Sequence, residues 1–284
     1  MDYKIQNAML WHLTDSADWQ QVEFYPTPNK GGKIEPKFLV IHFTAGSSDA
    51  RATAQYFQKP NAKASAHLTL DLDGTYVQNV EFDVKAWHAG KSQWAGHRGL
   101  NNNSIGIEVV NPGPLTITNN GEFKTWWGKT MKSDDIVVAP HQNNPNGPEY
   151  GWIPFTEHQV NALIGVGQEL MREYRLLECV GHDMISPGRK FDPGPCMSHR
   201  VYEFINNDVN DNAGDYEWQV SVANTLNGRG GPGTNYPVIK ELNSGEFVDV
   251  LERNGLWWFV DTSDGKDVWV HSKFLKMVKV DNDS

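Results

Sequence analysis

Residues 181–194 read GHDMISPGRKFDPG and place His182, Lys190 and Asp192 in a loop stiffened by glycine and proline. A loop that only has to be solvated needs neither this rigidity nor this chemistry. His182 follows directly on the short apolar strand ECV, and a second histidine, His42, stands inside the apolar run KFLVIHF (37–43). A lone histidine in such a run is ordinarily a core residue that needs one hydrogen-bond partner. Two histidines leaving neighbouring strand ends, with Asp192 fixed beside Pro193 and Gly194, form a set. Two neutral imidazoles and a carboxylate suit one Zn²⁺ per chain, with the fourth tetrahedral position left for water. Such a centre lowers the pKa of water from about 15.7 towards about 7 and polarises a carbonyl. Glu108 is the one acid in the apolar run SIGIEVV (104–110). It is either a strand-edge ion-pair partner or a general base that moves a proton from water to a leaving amine. Lys190 is either an exposed loop lysine or the positive charge beside a tetrahedral oxyanion.

These residues need elements to hold them. KFLVIHF reads as a buried central strand, SSDARATAQYFQ (47–58) as a helix with Ser or Asp near its start, and SIGIEVV as another strand. SAHLTLDLDGTYVQNV (65–80) reads as a hairpin around Asp73-Gly74. TEHQVNALIGVGQELMREY (156–174) has Val160, Leu163, Ile164, Leu170, Met171 and Tyr174 on one helical face, and Thr156 with Gln159 forms a capping box. Residues 111–154, rich in Asn, Gly, Pro and Trp without a period, read as a long loop. The expected fold is α/β, a mixed central β-sheet flanked by helices, over residues 1–207. Polar residues 208–216 read as a linker. Residues 217–284 then alternate in five short segments, WQVSVA, YPVIKEL, FVDVLER, LWWFVDT and DVWVHS, which predict a small all-β barrel.

Bulk properties narrow the function. A chain of 284 residues has room for a large domain and a small one, and 39% hydrophobic content excludes general disorder. A net charge of −10 argues against nucleic acid and against adhesion to anionic membranes. MDYKIQNAML has an acidic second residue and no apolar segment, so no signal peptide is expected, and no run is long enough for a membrane span. The expected product is a soluble monomer made in the cytoplasm. Cys179 and Cys196 make no disulfide framework and read as small apolar residues. Eleven tryptophans exceed what a core of this size needs; the Trp126–Trp127 pair could stack on sugar or cover the core edge.

Five blocks in order, IHFTAG, SAHLTLDLDG, AWHAG, NNNSIGIEVVN and GHDMISPGRKFDPGP, resemble the type 2 N-acetylmuramoyl-L-alanine amidases over roughly residues 35–205. This zinc amidase family includes bacterial recycling and lytic enzymes, phage endolysins and peptidoglycan recognition proteins. The resemblance implies zinc held by His42, His182 and Asp192, with Glu108 and Lys190 catalytic, and cleavage of the amide between the lactyl group of N-acetylmuramic acid and L-alanine. One phage branch has tyrosine where this chain has Ala66 and cysteine where it has Asp192, so this chain resembles the Glu/Asp type. His67 is expected to be structural. His88 and Trp87, with Trp94, Arg98 and Asn101, are expected to line the substrate groove. The C-terminal segments resemble a bacterial SH3 domain, which implies wall binding through Arg229, Tyr236, Trp257 or Trp258. That barrel favours intact wall as substrate, as for an endolysin or autolysin acting after release. A non-catalytic peptidoglycan-binding protein and a zinc peptidase cutting within the stem are the alternatives.

Overall fold

Phe38, Leu39, Val40 and Ile41 are completely buried, as expected of a strand paired on both edges and covered on both faces. In the computed structural model this strand, Phe38–Phe43, lies between Glu178–Gly181 and Ser104–Val109, both parallel to it. The six-stranded sheet continues through Leu68–Leu70, Tyr76–Gln78 and Glu23–Phe24, with the Leu68–Leu70/Tyr76–Gln78 pair antiparallel, so the sheet is mixed. Residues 2–46, 49–132, 134–207 and 216–279 are described.

Alternation divides this sheet into two chemistries. Leu39, Ile41, Leu68, Leu70, Ile105, Ile107 and Val109 join one apolar core with Val160, Leu163, Val166, Leu170 and Met171 of the helix Glu157–Tyr174. The intervening residues, His42, Ser104, Gly106 and Glu108, project from the other face. Register completes the placement: Glu108 pairs with His42, and Gly181 pairs with Ile41, so His182 comes level with His42. Sites at the carboxyl ends of parallel strands are the rule for open α/β sheets.

The long helix begins at the Thr156–Gln159 capping box. A side chain at Gly167 would collide with Ile205, so this glycine lets the helix His199–Asn207 pack close. The first helix, Ala50–Phe57, is capped by Asp49. The expected hairpin forms, its connection spanning residues 71–75. Residues 3–21 form an antiparallel three-stranded meander that delivers Tyr3 and Leu10 to the core. The expected long loop at 111–154 is instead built: Thr116–Ile117, Phe123–Lys124 and Thr130–Met131 form a meander, and Val137–Pro140 pairs with Glu149–Trp152. Strands this short carry too little alternation to show in sequence.

Contacts divide the chain into Met1–Lys91 with Gly99–Val209, and Ser92–Arg98 with Asn210–Ser284. The second unit is all-β, with seven strands rather than five; Thr225–Arg229 and Leu275–Lys279 are additional. Its core includes Leu226, Leu242, Val260, Val268 and the fully buried Trp258. Residues 208–215 of the expected linker lie outside the described residues, and Tyr216 begins a strand. Cys179 and Cys196 are both free thiols. Among the described residues no helix is long and apolar enough to cross a membrane.

Thr156 accepts from Gln159 N–H at 3.1 Å and donates to Leu72 O at 2.7 Å. Thr156→Ala is therefore expected to cost about 1–2 kcal/mol, read as a lower urea midpoint with an unchanged slope. A midpoint equal to wild type would show that the cap does not stabilise the helix.

Candidate functional site

Three polar atoms converge where the sheet register predicts. His42 Nδ1 lies 2.8 Å from His182 Nδ1 and 2.8 Å from Asp192 Oδ2, and His182 Nδ1 lies 2.7 Å from the same oxygen. All three side chains are buried, His42 and His182 at 1% exposure each. Whether this triangle is a hydrogen-bonded cluster or a cation site depends on where the protons are.

The surrounding partners answer that. His182 Nε2 lies 3.1 Å from Ala89 O and farther, 3.4 Å, from the Arg189 guanidinium, so the nearer carbonyl fixes the proton on Nε2 and leaves Nδ1 bare in the neutral ring. For His42 the answer runs through a chain of contacts. The Ser104 hydroxyl donates to Leu100 O at 2.6 Å. His88 Nε2 then faces Ser104 Oγ at 3.3 Å and Ser104 O at 3.4 Å, both acceptors, and must be the protonated nitrogen. His88 Nδ1 is therefore bare and accepts from His42 Nε2 at 3.0 Å, which leaves His42 Nδ1 bare as well. Burial, reinforced by the neighbouring His182, lowers the His42 pKa to about 4 and keeps the ring neutral. Burial also pushes His88 well down. Two lone pairs and an anion thus point at one another with no proton to share. That donor set fits a zinc ion, with each imidazole oriented by a hydrogen bond on its far nitrogen.

Glu108 stands beside this set. Its Oε2 is buried and has no hydrogen-bond partner among the described residues. Burial first, then the negative Asp192, raise its pKa well above the usual glutamate value, while the positive charge of Lys190 opposes them. An orphaned carboxylate oxygen next to three bare donors is the arrangement expected of a group that handles the proton of a water molecule.

Sequence comparison now bears on this geometry. The family model described as N-acetylmuramoyl-L-alanine amidase matches residues 32–195, more than half of the chain. The chain belongs to this amidase family. A bacterial SH3 domain model matches residues 224–276. The chain is 30% identical over 122 residues to 1,6-anhydro-N-acetylmuramyl-L-alanine amidase AmpD of Escherichia coli, covering 39% of this chain and 66% of that protein. It is 31% identical over 168 residues to the N-acetylmuramoyl-L-alanine amidase AmiD of Escherichia coli, covering 56% of this chain and 49% of that protein. In both matches it spans less than two thirds of the relative. A solved structure of a selenomethionine AmpD derivative aligns with 65% of this chain and 93% of its own, at 24% identity and a TM-score of 0.46.

The remaining residues of this chain fall into two groups. Those that support the site include several that sequence reading missed. Gly106 makes room for His88, because a Cβ there would lie 2.5 Å from the imidazole. His67 receives the Gly106 N–H on Nδ1 at 2.9 Å and contacts Val84 O through Nε2 at 2.9 Å, a structural role as expected. Arg189 ties Ala89 O and Lys91 O to Ser186 Oγ, clamping the loop that meets His182. On the Asp192 side, Asp183 N–H donates to Asp192 O at 2.7 Å, and His141 and Gln142 hold the Asp183 carboxylate. The built 111–154 segment thus buttresses the ligand loop.

The second group holds the residues expected in the groove and in the barrel. His88 is half-buried and engaged by His42 and Ser104, so it orients a ligand. Asn101 Oδ1 accepts the backbone N–H groups of His88 and Ala89 and holds that loop. Trp94 is 4% exposed and packs edge-on against Trp258, so neither ring is available to a ligand. Arg98 is exposed and belongs with Trp94 to the second unit, while Trp87 is half-buried in the first. In the barrel, Arg229 donates to Thr234 O and Tyr236 O, tying a loop; Tyr236 is exposed, and Trp257 lies half-buried against His271.

If the Ser104–His88–His42 chain sets the ligand tautomer, His88→Ala and Gly106→Ala should each weaken zinc binding about 10–100-fold, measured by competition with a chromophoric chelator. Wild-type affinity in both would remove the chain from the account. Acid behaviour follows from the buried imidazoles. Burial holds both His42 and His67 near 4 against an ordinary 6.5. As pH falls the unfolded chain is protonated first, so the stability of chelator-treated protein should be full above about 6.5 and decline towards about 4. A urea midpoint that stays constant across that window would contradict the buried neutral state.

Proposed function

We propose that this chain is a zinc-dependent N-acetylmuramoyl-L-alanine amidase that hydrolyses the lactyl–L-alanine amide of peptidoglycan. The observation that carries the reading is the convergence of three bare donors, His42 Nδ1, His182 Nδ1 and Asp192 Oδ2, beside the orphaned Glu108 Oε2. The membership of the amidase family supports the choice of bond. The bacterial SH3 match supports an intact wall as substrate, acted on by a lytic enzyme of phage or bacterial origin.

A zinc ion held by those three residues would supply Lewis acidity to the scissile carbonyl and make water a stronger acid. The rest falls to the chain's own side chains. Glu108 Oε2 takes a proton from the attacking water and later delivers it to the L-alanine nitrogen as the C–N bond breaks. Burial raises the proton affinity of that carboxylate, which suits a group that must hold the proton between the two steps. Lys190 places its positive charge near Glu108 and His42 and offsets the charge that develops on the carbonyl oxygen. Rigid placement matters because misalignment of reacting groups by about 1 Å can cost about a hundredfold in rate.

Glu108→Gln should retain one zinc per chain and lose activity by about a hundredfold or more; full activity in that variant would remove Glu108 from the chemistry. Lys190→Met should shift the acidic limb of the pH–rate profile to higher pH, since the lysine charge lowers the Glu108 pKa. The bond itself is tested by digesting purified peptidoglycan and weighing the products. Stem peptides with new L-alanine amino termini, lost on chelation and restored by zinc, are expected. Cuts within the stem, or sedimentation with the wall and no release, would overturn the reading.

A further inference from the structure

The chemistry above leaves the Trp126–Trp127 pair unused. Trp126 is 75% exposed, more than any other large apolar side chain among the described residues. Its position is nevertheless fixed. The indole Nε1–H donates to Ala45 O at 2.8 Å across 81 positions of sequence. The Trp127 ring meets it at 85° with centroids 5.5 Å apart. A tryptophan left over from core packing would have no reason to be both exposed and anchored, because exposure forfeits the burial of its large apolar surface.

Location adds to this. Ala45 follows His42 by three residues, so the anchor lies within about 10 Å of extended chain from the ligand triangle. That distance is comparable to the length of a disaccharide. Of the neighbouring charges, Lys124 and Glu122 pair with each other at 3.3 Å, and the exposed Lys129 lies two residues beyond Trp127. A wet, flat, anchored aromatic face suits a ligand with an apolar face and a hydroxylated rim. A pyranose is that ligand: stacking covers its axial C–H groups and leaves its equatorial hydroxyls in water.

We propose that Trp126 is a stacking platform for a pyranose ring of the glycan chain, beside the sugar that bears the cleaved amide. Identification of the polymer rests on the amidase reading; the stacking itself does not. The test uses the full chain and peptide-free glycan strands, which contain no amide to cut. Binding is followed by calorimetry and by the indole N–H resonance of Trp126, assigned by its loss in Trp126→Phe. Titration should move that resonance. Trp126→Ala should weaken binding about tenfold with an unchanged melting temperature, and Trp126→Phe should retain most of the affinity. On cleavable substrates, Trp126→Ala should lose more on polymeric glycan than on a single disaccharide–peptide. Undiminished binding in Trp126→Ala, a stationary resonance, or no binding by wild type would each overturn the platform. Failure of the amidase reading is distinct: glycan binding would still depend on Trp126, with no amide cleaved.

Discussion

Two imidazole lone pairs and a carboxylate are aimed at one point, and the hydrogen bonds behind them leave no proton to place between them. The rest of the site can be understood as the means of holding that arrangement. Without a cation, His42 and His182 repel across 2.8 Å, so the chain must supply the rigidity that keeps the rings from turning away. Ser104 and His88 supply it for His42, the Ala89 carbonyl for His182, and the Asp183 backbone for Asp192. Glycine at 106 is part of the same requirement, because only a residue without a side chain lets His88 lie over the strand. Burial keeps the His42 and His88 rings neutral, while the polar contacts fix their tautomers.

The sheet explains why these residues meet. Parallel pairing puts His42, Glu108 and the residue after Gly181 at one level and on one face. The opposite face of the same strands is continuously apolar and packs on the helix Glu157–Tyr174. One alternation therefore builds the core and the site together, and a slip of one residue would exchange them. The 111–154 segment adds a layer beside the ligand loop through His141 and Gln142, and carries Trp126 on its own meander.

Much of this was legible in the chain. A histidine inside an apolar run, another directly after a short strand, and an aspartate fixed by proline and glycine read as one set, and their donor atoms do come together. The long helix was legible down to its capping box, because periodicity and caps are local. What sequence could not show was direction over distance. His88 reads equally well as a groove residue until Gly106 and Ser104, far along the chain, are found against it. Trp94 reads as a rim residue until Trp258 covers it. The small strands at 116–152 escaped because strands of two to four residues have almost no period.

The most direct test of the account is calorimetric titration of chelator-stripped protein with zinc at neutral pH, comparing wild type with Asp192→Ala. The account predicts one ion per chain in the wild type and a loss of tight binding when the carboxylate is removed. A wild-type protein that takes up no zinc, or an Asp192→Ala protein that binds it equally well, would mean that the three converging donors are not a metal site.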